Sequence, residues 1–238
     1  MNPYEKLIAR KRKWSPVQME AGKLKEGSEE VIRRALALRH MELPVGDFIL
    51  EGLEKGVPEA ARKLLEMNVD DERNHDLALG FAASSIGTDE KAEAEAIRLR
   101  QAWIDHPDHT ICKAMVAERS IFFVVLPLFR FLGDVGLRTV SADISRDEQI
   151  HVATNSLVCR ELGLNYSNSL DKLRKATMQW MLEPLPFLND DKFLSKKFWA
   201  DSSDHLMYQG KTQNFSATKS ARMPAFFETS NVNLPKYA

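Results

Sequence analysis

Two short stretches of this sequence place a glutamate three residues before a histidine. Glu72 and His75 lie in DDERNH, and Glu148 and His151 lie in DISRDEQIH. On an α-helix, residues three apart share one face, so each pair can direct a carboxylate and an imidazole at the same metal ion. Helical bundles that bind two metal ions take such a pair from each of two helices and one further Glu from each of two others.

Two further glutamates stand at equal distances before these pairs. Glu42 precedes Glu72 by 30 residues, and Glu118 precedes Glu148 by 30 residues. Glu118 also lies inside the apolar run MVAERSIFFVVLPLF, where a carboxylate is costly to bury unless it is paired or bound to a metal. The sequence therefore predicts six metal ligands: Glu42, Glu72, His75, Glu118, Glu148 and His151.

The types of these residues also restrict the metal. Mixed carboxylate and imidazole ligands suit iron or manganese, whereas structural zinc prefers Cys and His. Two other interpretations stay open, namely solvated charge on helix surfaces and a buried salt-bridge network without metal. The remaining histidines are expected at the surface or at helix ends: His40, His106, His109 and His205.

Composition excludes several classes of function. The chain has 238 residues, 44% of them hydrophobic, and a formal net charge of −1, which gives no sign of a nucleic-acid surface. The basic cluster at 10–13 is expected to be a solvated helix end. The apolar run Ser120–Phe129 is too short to span a membrane. Cys112 and Cys159 fall in apolar, helical sequence, so no disulfide framework is expected and a cytoplasmic location fits.

Long helices must position these residues. Gly and Pro occur at few points and no strand-like alternation is sustained, so we expect one helical domain over 1–210 and a tail over 211–238. Pro44 is expected to kink the first long helix, and Pro127 to bend the third. At ~1.5 Å per residue the long helices suit a four-helix bundle. Helices are expected at 28–56, 58–87, 88–104, 109–132, about 134 or 138 to 163, 168–182 and 190–209.

Four motifs follow one another along the chain: KWSPVQME, AERSIFF, ISRDEQIH and FFETSNVNLPKY. In this order they resemble the Trp-Pro segment, the third and fourth ligand helices and the C-terminal Phe-Phe-Glu…Tyr segment of one family. That family is the radical-generating small subunit of class I ribonucleotide reductase, in the ferritin-like superfamily. The resemblance implies an all-α, ferritin-like four-helix bundle with additional helices and an irregular C-terminal tail.

The resemblance also implies roles for particular residues. Glu42 matches the first metal ligand, which is more often Asp in the family, and the other five candidates match the remaining ligands. Trp14 and Asp147 match a hydrogen-bonded relay that includes His75, and Tyr237 is the candidate relay tyrosine of a shortened tail. The implied partners are a large catalytic subunit, which reduces ribonucleotides, and a second copy of the chain. The implied cofactor is a pair of iron or manganese ions.

One residue departs from the family pattern. Most members hold a stable radical on a Tyr four residues after the second-helix histidine, and this chain has Leu79 there. Phe122 and Ile144 match the apolar residues that normally surround that Tyr. Either the oxidising equivalent stays on the metal pair, or the bundle is a free-standing di-metal oxidase, oxygenase or ferroxidase. A metal-free structural bundle is a third interpretation.

Overall fold

The computed structural model describes residues 2–209, and within that range the chain forms helices and loops and no strand. A π-helical segment, Glu118–Phe122, joins the sixth and seventh helices, and two 3₁₀ turns cover Leu38–Met41 and Lys192–Leu194. The α-helices are α1 Pro3–Ile8, α2 Glu29–Ala37, α3 Glu42–Lys55, α4 Glu59–Ile86, α5 Glu90–Ile104, α6 Thr110–Ala117, α7 Phe123–Leu132, α8 Val135–Glu161, α9 Asn168–Leu182 and α10 Lys196–Gln209.

Four helical rods form the bundle: α3, α4, α8 and the composite of α6, the π segment and α7. The rod of α6 and the rod of α8 run antiparallel: the free, buried thiols of Cys112 and Cys159 lie 3.8 Å apart, and Asn155, earlier in α8, bonds to Glu118, which follows α6. At Gly52 of α3 a Cβ atom would lie 2.4 Å from the Cδ1 atom of Ile111. Glycine therefore allows α3 and α6 to pack closely. The predicted all-α bundle is confirmed.

Local sequence explains where the long helices begin and end. Gly56 and Gly87 follow α3 and α4 with φ of 95° and 91°, a backbone conformation that favours glycine. The Asp134 side chain accepts a 2.8 Å hydrogen bond from the Leu137 N–H and caps the start of α8, as short polar side chains do at helix N-termini. These ends fix the length and register of the rods that carry the predicted ligands.

The first long helix differs from its prediction. Helical backbone runs without a gap over 29–55, but a 3₁₀ turn at Leu38–Met41 divides it into α2 and α3, so the irregularity lies before Pro44 rather than at it. Pro44 lies in the first turn of α3, where an N–H would have no partner within the helix, so proline is tolerated there. As a consequence of the 3₁₀ turn, Glu42 is the first residue of α3.

The N-terminal segment also differs from its prediction. Helix α1 ends at Ile8, and residues 10–25, here called the N-terminal strap, cross the bundle without helical structure. The strap bonds to α4, where the Ser85 hydroxyl donates to the Met19 carbonyl at 2.6 Å. It also bonds to the α8 cap, where the Gly22 N–H donates to Asp134 at 2.6 Å. The basic cluster at 10–13 is therefore part of the strap and not a solvated helix end.

No helix within residues 2–209 combines the length and apolarity that a membrane span requires. The predicted tail at 211–238 lies outside the described residues, so the division of the chain at residue 210 stays a prediction.

Candidate metal centre

The bundle brings all six predicted ligands into one buried cluster. Each of their side chains is at most 1% exposed to solvent. Helices α4 and α8 each supply a Glu-x-x-His pair, and α3 and the π segment each supply one glutamate. These six residues are Glu42, Glu72, His75, Glu118, Glu148 and His151.

One half of the cluster, here called position A, is centred on the Nδ1 atom of His75. This atom lies 3.3 Å from Glu148 Oε1 and 3.5 Å from Glu72 Oε2. Glu42 Oε2 lies 3.7 Å from the same Nδ1 atom. Among the described contacts, Glu42 approaches His75 and not His151. Position A thus joins α3, α4 and α8.

The other half, here called position B, is centred on the Nδ1 atom of His151. Glu72 Oε1 lies 3.0 Å from this atom, and Glu118 Oε1 and Glu148 Oε1 each lie 3.7 Å from it. Glu118 takes the place in position B that Glu42 has in position A. Glu72 and Glu148 approach both histidines, whose rings are 5.5 Å apart. The arrangement is that of two adjacent sites that share two carboxylates.

The donor atoms of this cluster fit metal ions. Oxygen atoms of all four glutamates and the Nδ1 atoms of both histidines are buried and make no hydrogen bond within the described residues. Buried polar atoms are rarely left unsatisfied, and four acidic groups packed together repel one another. Ligand atoms of Glu72, His75, Glu148 and His151 lie within 4.8 Å of one another, so this group could hold a metal ion.

Burial and the neighbouring charges favour protons on several groups of the cluster when no metal is bound. Burial raises the pKa of Glu42 and of Glu118 well above the usual range. Burial by itself would lower the pKa of His151, and Lys11 acts in the same direction. Glu148, Asp71 and Glu72 outweigh both and raise it to about 10. Metal ions must displace these protons when they bind.

Asp147 and Trp14, the two residues that the resemblance assigns to a relay, lie beside position A as its outer pair. Asp147 Oδ2 lies 3.4 Å from the Nε2 atom of His75, long for a hydrogen bond. The indole N–H of Trp14 donates to the same oxygen at 2.6 Å. The Trp14 ring is also stacked with the His75 ring, with centroids 6.2 Å apart. A half-buried aromatic ring of the strap is therefore connected to the site through one carboxylate.

A corresponding pair supports position B and was not predicted. Asp71 Oδ2 lies 2.9 Å from the Nε2 atom of His151, and the ammonium group of Lys11 forms an ion pair with the same oxygen. The sequence held a signal for Asp71, because an Asp precedes the Glu in both DERNH and DEQIH. Each Asp contacts the histidine of the other motif, as the antiparallel packing of α4 and α8 requires. Carboxylates that hold the second nitrogen of a ligating imidazole fix its orientation.

The π segment sets the orientation of Glu118. Single π turns inside α-helices are frequent at functional sites, and here the wider turn begins at the candidate ligand Glu118. Its Ser120 carbonyl accepts a 2.6 Å hydrogen bond from the Ser203 hydroxyl of α10. The Asn155 amide donates to Glu118 Oε2 at 2.6 Å, which leaves Oε1 directed towards His151.

The remaining predicted residues lie apart from the cluster or outside the described range. Leu79 is buried one turn after His75 and, like Phe122 and Ile144, is at most 1% exposed. Tyr4 donates to Glu161, and Tyr208 donates to Asp171. Tyr237 lies outside the described residues. Of the other histidines, His40 contacts Glu93, His106 contacts Ser169 and His109 caps α6.

Comparison with profiles of known protein families finds no match, and comparison with curated proteins finds none either. The fold matches the solved structure of a Bacillus halodurans protein that is provisionally assigned as a class I ribonucleotide reductase. The two chains are 17% identical, with a TM-score of 0.55 over 84% of this chain and 89% of that one. At this identity the likeness shows the fold. Together with the buried Glu/His cluster, it confirms the predicted ferritin-like all-α architecture.

Proposed function

We propose that this protein is the small subunit of a class I ribonucleotide reductase, an oxidoreductase. In this role it generates an oxidising equivalent at a dinuclear metal site and passes it to a large subunit that reduces ribonucleotides. The observation that carries the proposal is the connection from the buried cluster to the strap through His75, Asp147 and Trp14. A site that acted only on a small molecule inside the bundle has no need of such a connection.

The side chains of the cluster divide the work of holding the metal pair. Glu42 and His75 would bind in position A, Glu118 and His151 in position B, and Glu72 and Glu148 in both. Iron or manganese bound there would supply one-electron oxidation chemistry. The bundle excludes water from the cluster, since all six side chains are buried. The four carboxylates balance the charge of two divalent ions.

Trp14 and Asp147 have the geometry for coupled electron and proton movement. Loss of one electron from the indole to a metal pair bound at the cluster, by way of His75, would make the indole N–H strongly acidic. The proton can then pass along the 2.6 Å hydrogen bond to Asp147. The stacked rings of Trp14 and His75 keep the electron donor close to a ligand of the site.

Leu79 implies that the oxidising equivalent stays on the metal pair. Leucine has no oxidisable group. Of the three described tyrosines, Tyr4 and Tyr208 bond to Glu161 and Asp171, and Tyr166 lies in the loop between α8 and α9. Electron paramagnetic resonance of the oxidant-activated protein should therefore show a metal-centred signal. A tyrosyl doublet would contradict this part of the proposal.

The proposal is tested by assaying ribonucleotide reduction with the large subunit from the same source. Trp14→Phe removes the indole N–H and should abolish reduction while metal content stays at the wild-type level. Trp180→Phe is the matched control, because Trp180 is also half-buried but packs against Arg34, away from the cluster. It should retain activity. Equal activity of both variants would contradict the role of Trp14.

The same assay separates the proposal from its alternative. Oxidation of a small substrate without any large subunit, unaffected by Trp14→Phe, would identify a free-standing di-metal oxidase or ferroxidase. The homodimer, the cytoplasmic location and the part played by Tyr237 in docking belong to the reductase proposal and fail with it.

A further inference from the structure

Lys11 is a buried cation beside the metal cluster whose role the proposed function does not require. We propose that Lys11 sets the charge around position B and so raises the reduction potential of the metal pair. This inference rests on the proposed function, because it concerns how strong an oxidant the loaded site becomes.

The contacts of Lys11 distinguish it from the basic residues around it. Its side chain is 5% exposed, its ammonium group pairs with Asp71, and it lies 3.4 Å from the Nε2 atom of His151. Arg10, Arg12 and Lys13 of the same strap are exposed. Burying an ammonium group is costly unless it is paired. Of the basic residues at 10–13, Lys11 therefore points inwards, to the carboxylate of Asp71 that contacts the predicted ligand His151.

The two positions differ in charge as a result. At position A, Asp147 accepts its hydrogen bond from the neutral indole of Trp14, so the outer pair carries one negative charge. At position B, the ammonium group of Lys11 balances the carboxylate of Asp71, so the outer pair is neutral. The outer pair beside position B thus carries one negative charge fewer than the outer pair beside position A.

This difference affects how readily the site loses an electron. A fixed positive charge opposes any further gain of positive charge nearby, and the effect is strong in a buried, poorly polarisable environment. Lys11 therefore makes the metal pair harder to oxidise and, once oxidised, a stronger one-electron oxidant. With Leu79 in place of a redox-active tyrosine, the metal pair itself must have that strength.

A purely structural role is the competing explanation, in which Lys11 only ties the strap to α4. The two roles separate in the reduction potential. The experiment loads the full chain with iron(II) under nitrogen, measures iron per chain, and then measures the midpoint potential by spectroelectrochemistry. The variants are Lys11→Met, which removes the charge and keeps an unbranched stem, and Lys11→Arg, which keeps the charge. Lys13→Met is the control on an exposed lysine of the strap.

The expected result is that Lys11→Met retains two irons and has a lower midpoint potential, while Lys11→Arg and Lys13→Met match the wild type. Asp71→Asn, loaded at excess iron, provides an independent check and should shift the potential upwards, because it leaves the charge of Lys11 unbalanced. A Lys11→Met protein that loses iron or keeps the wild-type potential overturns the inference. A wild-type chain that binds no iron overturns the proposed function as well, whereas normal loading without ribonucleotide reduction overturns the proposed function alone.

Discussion

Positions A and B of the cluster are built from the same kinds of ligand but are held by different outer partners. In each position, a histidine Nδ1 atom faces one glutamate that contacts only that position, Glu42 or Glu118, and two glutamates that contact both positions. In each, an Asp from the opposite motif contacts the other ring nitrogen. The strap then covers position A with Trp14 and position B with Lys11. The ligand set follows from a repeated motif, whereas the difference between the halves comes from a single non-repeated segment.

Removal of a shared carboxylate should have the largest effect, because it breaks both halves together. Glu148→Ala should weaken metal binding at both positions by ~100-fold or more, since loss of even an outer partner costs 10–100-fold. Metal content after dialysis is the measurement. Glu66→Ala, at an exposed site of the same helix as Glu72, should match the wild type. Loss of only one ion in Glu148→Ala would show that this carboxylate is not shared.

Acid–base behaviour of the metal-free protein should reveal the protons held by the two halves. The pKa of His151 is raised from 6.5 to about 10, and the pKa of His75 is also raised. This stabilisation is complete below pH 6.5 and is lost as the pH rises towards 10. The free energy of unfolding should therefore fall across this window, by on the order of a few kcal/mol. Urea denaturation with chelator present measures it.

A pH titration of the two histidines compares the two positions directly. Lys11 opposes the protonation of His151, whereas the outer partner of His75 is a carboxylate with a neutral donor. We therefore expect His151 to release its proton at lower pH than His75, which histidine NMR of the metal-free protein can follow. The reverse order would contradict the assigned charge difference.

The outer aspartates should each affect mainly their own position. Asp147→Asn should weaken binding at position A, and Asp71→Asn at position B, by about 10–100-fold, because each carboxylate orients one ligating imidazole. Stepwise titration with a divalent ion measures the two affinities. Asp70→Asn, at an exposed position next to Asp71, is the control. Equal weakening of both steps by either variant would show that the two positions bind as one unit.

The smallest effect is expected from the amide that holds Glu118. Asn155→Leu removes a donor of 2.6 Å to Glu118 Oε2 and should weaken position B by ~3–10-fold, in line with about 1 kcal/mol for one hydrogen bond. Position A has no contact with Asn155 among the hydrogen bonds of the described residues and should be unchanged. A larger loss at position A would contradict the division into halves.

The clustering of the six candidate ligands could be predicted from the sequence because it depends on helix periodicity. A Glu-x-x-His pair points to one face of any helix, and equal spacing from Glu42 to Glu72 and from Glu118 to Glu148 predicts matching rods. The bundle class followed from the same long periodic segments. Asp147 and Trp14 were reached through a family resemblance rather than through spacing.

The outer partners of position B could not be predicted in the same way. Lys11 lies in a segment without helical structure, and its contact with Asp71 depends on the path of the strap across α4 and α8. A basic cluster is usually solvated, so the pattern favoured the wrong environment for Lys11. The irregular turns before Glu42 and at Glu118 also escaped prediction. The π turn in particular is supported by a bond from Ser203 on a helix distant in sequence.

The central claim is that two metal positions share Glu72 and Glu148 and differ in Glu42 and Glu118. Anaerobic titration with iron(II), followed by measurement of bound metal, tests this most directly in Glu42→Ala and Glu118→Ala. The wild-type chain should bind two ions, and each variant should retain one. A wild-type chain that binds one ion or none, or a single variant that loses both, would contradict the account.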